Sequence, residues 1–118
     1  LIAMDKAEQA ERPLNSALRV DPNNSDAWYQ RGLLYLDFGR GEEALSDFES
    51  ASRNDPKHVD ARLMIAAILH ERGDTKEAID GWRKVLDIDP QHRLARRRLE
   101  ECKEKIEPPS FGVLRPED

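Results

Sequence analysis

Three histidines and one cysteine are the side chains of this sequence best suited to binding a metal ion or to nucleophilic catalysis. His58 and His92 each lie two residues after the proline of an Asp-Pro pair, 34 positions apart. Equivalent positions of stacked helix pairs lie about 10 Å apart, whereas a zinc ion needs its ligands at about 2 Å. We therefore expect no shared metal ion, and place both histidines in a turn or at the start of a helix.

His70 and Cys102 have non-catalytic interpretations as well. His70 could contact an acidic partner, but the pattern favours an ordinary surface histidine. Cys102 takes the repeat position of Leu34 and Ile68, which favours a small core hydrophobe over a nucleophile. The sequence contains no Gly-rich phosphate loop, zinc-ligand spacing or Ser/Cys-His-Asp arrangement. It predicts no enzyme, no cofactor and no metal site.

One basic cluster near the C-terminus could bind phosphates. It consists of Arg93, Arg96, Arg97, Arg98, Lys103 and Lys105. Glutamates interleave with these residues, no aromatic side chain accompanies them for base stacking, and the formal net charge of the chain is -5. We therefore interpret the cluster as the solvated face of a terminal helix and expect no nucleic-acid partner.

The composition indicates one highly charged domain. The chain has 118 residues, of which 36% are charged and 38% hydrophobic. No apolar run approaches the roughly 18 residues that cross a bilayer, and no signal peptide is recognisable. We expect no membrane insertion and a cytoplasmic location. Since the first residue is not Met, we also expect a piece of a longer protein, which could carry further repeats or a catalytic domain.

A repeat of 34 residues organises the sequence. Seven positions of the first unit recur in the second: Trp28, Gly32, Tyr35, Ala44, Phe48, Ala51 and Pro56 are followed by Arg62, Ala66, Leu69, Ala78, Trp82, Val85 and Pro90. A period of this length is typical of stacked supersecondary units. The apolar residues recur at i, i+4 and i+7, which predicts helical faces.

Turn residues mark where the helices end. Gly39 and Gly73 suit the left-handed residue that follows a helix, and the Asp-Pro pairs at 55–56 and 89–90 stop the next helix. The pattern predicts helices at residues 25–38, 42–53, 59–72, 75–88 and 92–106. The same phase continues upstream, where residues 5–20 are predicted to form the second helix of a unit whose first helix is missing.

These residues resemble the tetratricopeptide repeat, whose pattern is W-x2-L-G-x2-Y, then A-x3-F, A and P. Residues 25–58 match it except for Arg31 at the Leu position, and residues 59–92 match more loosely. The resemblance implies an all-α, right-handed solenoid of antiparallel helix pairs over residues 1–106. It comprises a half-unit at 1–24, full units at 25–58 and 59–92 and a capping helix at 93–106. A Pro-rich tail, extended or disordered, is expected at 107–118.

The resemblance also implies an interaction scaffold that holds a peptide or partner protein in a concave groove. The residues expected to line that groove are Tyr29, Leu33, Leu36, Leu63, Ala67, His70, Leu94 and Arg97. Part of this stripe could instead be core. Two alternative functions remain open: self-association through the repeat ends or the tail, and an accessory role in a longer enzyme.

Some members of the family clamp the C-terminal carboxylate of a chaperone with Lys, Asn and Arg side chains. Here the corresponding positions hold apolar residues: Tyr29, Leu33, Met64 and Leu94. Only Arg98 matches the clamp pattern. We therefore expect no carboxylate clamp.

Overall fold

Six helices follow one another along the chain in the computed structural model, which describes the backbone of residues 2–106 and the side chains of residues 6–102. They are α1 (Ile2–Val20), α2 (Ser25–Asp37), α3 (Gly41–Asn54), α4 (Val59–Glu71), α5 (Thr75–Ile88) and α6 (Arg93–Ile106). Each helix packs against the next one in the chain. The predicted all-α solenoid is confirmed, and the five downstream helices begin and end within one residue of their predicted bounds. The predicted tail at 107–118 lies outside the described residues, and the division into repeat units stays an interpretation.

Two glycines turn the chain between the helices of each pair. Gly39 has φ 73° and Gly73 has φ 88°, a region that residues with a Cβ rarely enter. The following amides then donate back to the helix just ended: Arg40 N–H to the Tyr35 carbonyl at 2.8 Å, and Asp74 N–H to the Leu69 carbonyl at 2.9 Å. The predicted left-handed helix ends are therefore present.

Hydrogen bonds between residues two or three positions apart close the Asp-Pro turns that join successive helix pairs. The Asp55 carboxylate accepts from Lys57 N–H at 3.1 Å, and the next histidine caps the following helix. His58 Nδ1 accepts from Ala61 N–H at 3.1 Å, and His92 Nδ1 accepts from Ala95 N–H at 3.3 Å. Both histidines thus start helices, as the sequence predicted, because an N-cap acceptor satisfies an amide that lacks a partner within the helix.

The repeated apolar positions form the core. Phe48 is 0% exposed and Trp82 is 2% exposed, and each belongs to a separate buried cluster. The first cluster contains Tyr35, Ala44, Phe48 and Ile68. The second contains Ala66, Ala78, Ile79, Trp82, Val85, Ala95, Leu99 and Cys102. The predicted core role of Cys102 is therefore confirmed.

Arg31, which departs from the family pattern, joins three helices. Its guanidinium donates to both carboxylate oxygens of Asp47, at 2.8 and 2.9 Å, and to the Asn15 side-chain oxygen at 2.9 Å. Asp47 is 3% exposed, so its charge is satisfied almost entirely by this pair. The same guanidinium stands 5.0 Å from the Trp28 ring centroid. The substitution at the Leu position thus exchanges an apolar contact for a bridge between α1, α2 and α3.

Gly32 lets α2 approach the Phe48 ring of α3 closely, and adding a methyl group there should destabilise the fold. A Cβ at Gly32 would lie 2.7 Å from Cε1 of Phe48. Overpacking of this kind costs about 1–3 kcal/mol, partly offset by up to about 1 kcal/mol of helix propensity. We expect Gly32→Ala to lose about 1–2 kcal/mol in the free energy of unfolding, measured by urea denaturation.

Gly41→Ala is the matched control, because a Cβ at Gly41 meets no heavy atom within 4 Å. It should be neutral or slightly stabilising. The double variant Gly32→Ala/Phe48→Leu should lose less stability than the two single variants added together, since the new methyl group then occupies space that the ring vacated. Equal stability of the Gly32→Ala and Gly41→Ala proteins would contradict the close approach.

Tyr35 should make the fold sensitive to alkali. Burial and the hydrogen bond from its hydroxyl to Glu11, at 2.9 Å, raise its pKa from 10.0 to about 12. A phenol with a raised folded-state pKa stabilises fully below the unfolded-state value, and this stabilisation falls as pH rises from 10.0 to about 12. We expect Tyr35→Phe to flatten the alkaline loss of stability in urea titrations, with Tyr29→Phe as the comparison. An unchanged pH slope in Tyr35→Phe would refute this.

Candidate functional site

The first helices of successive pairs, α2, α4 and α6, lie side by side. Leu33 and Leu36 of α2 pack on the cluster that includes Ile68 of α4. Further along, His70 Nδ1 of α4 lies 3.6 Å from Cys102 Sγ of α6. We use the name groove face for the eight predicted residues that these three helices carry: Tyr29, Leu33, Leu36, Leu63, Ala67, His70, Leu94 and Arg97.

The α2 residues of the groove face are half-buried. The Tyr29 ring lies 5.7 Å from the Phe48 ring and 4.9 Å from the His58 ring, measured between centroids. Leu33 and Leu36 pack against the same cluster as Tyr29. These three side chains therefore contact the core on one side and solvent on the other. Each of them is part core and part exposed surface.

The α4 residues of the groove face differ in exposure. Leu63 is half-buried and packs against the second cluster, and His70 stands edge-on to the Trp82 ring at 5.6 Å. Ala67 between them is exposed. His70 is thus partly engaged within the fold, a contact that the sequence did not indicate.

The α6 residues project furthest into solvent. Leu94 is 43% exposed, which makes it one of two large hydrophobic residues that stand out on the described surface. Arg97 is also exposed. Leu94 and Ala67 are therefore the groove-face residues that can be replaced with least effect on the core.

Acidic side chains border the groove face. Asp26 and Asp60 lie in the first turns of α2 and α4, and Asp37 and Glu71 are at the opposite ends of the same helices; all four are exposed. The pKa of the Tyr29 hydroxyl is raised by burial and by the nearby Asp60 charge. The border therefore favours a cation over an anion beside the apolar stripe.

One polar contact at this border was missed by sequence reasoning. His58 Nε2 lies 3.1 Å from the Asp26 carboxylate, while the other ring nitrogen caps α4. The contact joins the start of α2 to the start of α4. Its sequence signal is the recurrence of Asp and His at fixed repeat positions, but the two residues stand at opposite ends of the unit of residues 25–58, and no local pattern pairs them.

A second cleft, of about 380 Å³, lies between α3, α4 and α5. In the preceding unit Arg31 and Asp47 fill the equivalent place. Here the same repeat positions hold Ile65 and Gly81. Leu69 lies beside Ile65, and the other lining residues are Glu49, Ser52, Arg53, Arg62, Glu77, Asp80 and Lys84. Because both charge signs are equally represented around it, the cleft selects no ligand by net charge.

In the part of the chain that the structure describes, no three His, Cys, Asp or Glu residues are grouped so that they could hold a metal ion. No helix there is both long and apolar enough to span a membrane.

Solved structures similar to this chain are tetratricopeptide repeat domains and a secretion chaperone. The first TPR of Spaghetti (RPAP3) bound to an HSP90 peptide is 19% identical, with a TM-score of 0.75 over 87% of this chain and 84% of that one. The Arabidopsis OM64 TPR domain is 21% identical, with a TM-score of 0.75 over 86% and 84%. The Yersinia enterocolitica type III secretion chaperone SycD, in complex with a peptide of the translocator YopD, is 19% identical, with a TM-score of 0.77 over 88% and 85%. These likenesses concern the fold.

The sequence itself identifies the family. No curated protein matches the chain. A family model described as tetratricopeptide repeat matches residues 1–51 and again residues 29–93. The two matches cover most of the described helices and include both pairs whose turns, caps and cores are described above. The chain therefore belongs to the tetratricopeptide repeat family.

Proposed function

We propose that this protein is a non-catalytic interaction scaffold that binds an apolar peptide segment with basic flanks on its groove face. The observation that carries the proposal is the exposed part of the stripe on α2, α4 and α6. Leu94 and Ala67 expose apolar surface between half-buried leucines. Apolar patches that persist on a folded surface commonly mark an interaction site.

The shape of the stripe supports an elongated ligand. Its residues come from three parallel helices, so successive contact points are separated by the distance between neighbouring helices, about 10 Å. A peptide that crosses the helices can place one apolar side chain beside each. The rigid solenoid holds these contact points in advance, which lowers the entropy cost of binding.

The charges support the choice of a basic ligand. Asp26, Asp60, Asp37 and Glu71 are exposed beside the stripe, and Arg97 is the one basic side chain among the eight groove-face residues. The formal net charge of -5 also attracts a basic ligand, at longer range. Lys or Arg residues that flank an apolar anchor would therefore be attracted to both edges of the stripe along α2 and α4.

Peptide complexes of the similar structures support the general mode of binding but not the same ligand. The Spaghetti domain was solved with the HSP90 peptide SRMEEVD, which ends in acidic residues. This chain has apolar residues at the positions where a carboxylate clamp needs Lys and Asn, and acids along the border. We therefore propose that its ligands differ from that peptide in charge.

Ala67→Glu combined with Leu94→Glu should abolish peptide binding without unfolding the protein. Both side chains are exposed, whereas Tyr29 and Leu63 pack on the core clusters and would confound the test. The probe is a displayed library of random peptides, selected on the wild-type protein and remeasured by fluorescence anisotropy. We expect selected peptides to combine an apolar anchor with Lys or Arg, and their affinity to fall at least tenfold in the double variant.

Val20→Glu is the control, because Val20 is 87% exposed and lies outside the groove face. It should bind the selected peptides as the wild type does, and circular dichroism should show equal helix content in all three proteins. SRMEEVD should not bind. Selection of acidic peptides, or undiminished binding by the double variant, would refute the proposal.

A further inference from the structure

The cleft of about 380 Å³ between α3, α4 and α5 lies apart from the groove face. Its α4 residues are Arg62, Ile65 and Leu69, which occupy a different face of that helix from Leu63 and Ala67. Other helices precede and follow these three in the chain, so the opening is a property of the side chains that line it. We call it the mixed-charge cleft.

The equivalent place in the preceding unit holds a guanidinium. Arg31 donates there to both carboxylate oxygens of Asp47 and to the Asn15 side chain. One unit later, Ile65 takes the position of Arg31 and Gly81 that of Asp47. The mixed-charge cleft is therefore open because an arginine side chain and its carboxylate partner are both missing from it.

Acidic side chains line one end of the cleft. Glu49 of α3 takes the repeat position of Asn15, which accepts from Arg31 at 2.9 Å in the preceding unit. Glu77 and Asp80 line the cleft from α5, and all three acids are exposed. A guanidinium in this cleft would meet carboxylates on both walls, and such charge-assisted hydrogen bonds are the strong ones.

Basic side chains line the other end. Both α3 and α5 are second helices of their pairs and run in the same direction. On α3, Arg53 comes four positions after Glu49, and on α5, Lys84 comes four positions after Asp80. Arg62 lies at the same end, because the Asp-Pro turn joins the end of α3 to the start of α4. Four helical residues span about 6 Å, so the charges balance in number but are separated along the cleft.

These opposite charges do not neutralise one another. The acids and bases four positions apart have the spacing of helical ion pairs, but neither pair forms in the described part of the chain. Arg53 donates to the Ser50 hydroxyl at 3.1 Å, and the Asp80 carboxylate lies 3.9 Å from Arg83. The two ends of the cleft therefore keep opposite charges that a ligand can use.

Arg62 is held in position at the basic end. Its Nε donates to the Pro56 carbonyl at 2.8 Å, as Trp28 Nε1 donates to the Pro22 carbonyl in the preceding unit. The bond fixes the guanidinium beside the cleft, while its two Nη atoms carry further N–H groups. These can bind an incoming carboxylate.

We propose that the mixed-charge cleft binds the C-terminal arginine of a peptide or protein. The guanidinium of that residue takes the place that Arg31 fills in the preceding unit, and its carboxylate reaches the basic end. Its methylene groups lie on Ile65 and Leu69, which are half-buried. An arginine carries a cation at the end of an apolar stem, and at a C-terminus it has a carboxylate at the other end. This order matches the acidic end, the apolar floor and the basic end.

Other charged ligands match the cleft less well. A free arginine has an α-ammonium beside its carboxylate, which would lie among Arg53, Arg62 and Lys84. An internal arginine has no carboxylate for these residues, and an acidic peptide has no cation for the opposite end. A C-terminal lysine offers a point charge, whereas the planar guanidinium donates in several directions and can contact both acidic walls.

Three short fluorescent peptides without an apolar anchor test the proposal. The first is Gly-Ser-Gly-Ala-Arg with a free carboxylate, the second is its C-terminal amide, and the third is Gly-Ser-Gly-Ala-Gln with a free carboxylate. We expect the first to bind the wild-type chain in fluorescence anisotropy, and the other two to bind at least fivefold more weakly. Free arginine should compete at least tenfold less effectively than the unlabelled first peptide.

Ile65→Arg should weaken binding of the first peptide at least tenfold, because the chain then supplies its own guanidinium to the cleft. The preceding unit already holds Arg31 at this position, so the fold has a precedent for the side chain. Circular dichroism should show the helix content of the wild type.

Two isosteric or near-isosteric variants test the ends of the cleft separately. Glu49→Gln should weaken the first peptide at least fivefold and leave the Gln peptide unchanged, since only the first has a cation. Lys84→Gln should weaken the first peptide and leave its amide unchanged. Glu8→Gln on α1 and Lys76→Gln on α5 are the matched controls, because both residues are exposed and lie outside the cleft. They should bind as the wild type does.

The test is independent of the groove-face proposal, since Ala67→Glu with Leu94→Glu should leave binding of the first peptide unchanged. Equal binding of the acid and amide forms, or of the Arg and Gln peptides, would overturn the inference. So would unchanged binding in both Ile65→Arg and Glu49→Gln. Competition by free arginine as strong as that of the peptide would identify a free amino acid as the occupant and would also overturn it.

Discussion

Each helix pair depends on one close contact, between a small residue on the first helix and a large ring on the second. Gly32 admits the Phe48 ring to a distance at which a Cβ would collide with it, and Ala66 shares a buried cluster with Trp82. Because the ring fills the space left by the missing side chain, the two helices pack closely at this point. The contact fixes the separation of the two helices at the centre of the pair.

The same packing determines which faces remain available for binding. Once the second helix covers one side of the first helix and the next unit covers another, a narrow strip of the first helix stays exposed. That strip carries the groove-face residues, whose half-buried members contact the core and solvent at once. Binding and stability therefore share side chains such as Tyr29 and Leu63, while exposed residues such as Ala67 and Leu94 separate the two effects.

Differences between the two full units alter the surface more than the fold. In the first unit Arg31 forms an ion pair with the buried Asp47, whereas Ile65 and Gly81 take the same positions in the second and leave a cleft. Both units keep the two helices of the pair close together, because the exchanged residues lie next to the ring contact and are not part of it. The repeat thus tolerates the replacement of a charged bridge by an open cleft without a change in helix length.

The sequence alone determined the helices, their turns and most of the core. Periodic apolar residues, two glycines and the Asp-Pro pairs are local signals, and the helices they mark fold as expected because hydrogen bonding within a helix and a turn involves residues a few positions apart. The capping role of His58 and His92 and the core position of Cys102 could be inferred in the same way, from their fixed places in the repeat.

Tertiary structure alone decided how residues from different helices and turns meet. The contact of His58 with Asp26, of His70 with Trp82 and Cys102, and of Arg31 with Asn15 all join positions many residues apart. No local pattern specifies such pairs, since they depend on the separation and direction of packed helices. For the same reason the sequence could name the stripe on α2, α4 and α6, but only the packed helices showed which of its side chains are half-buried.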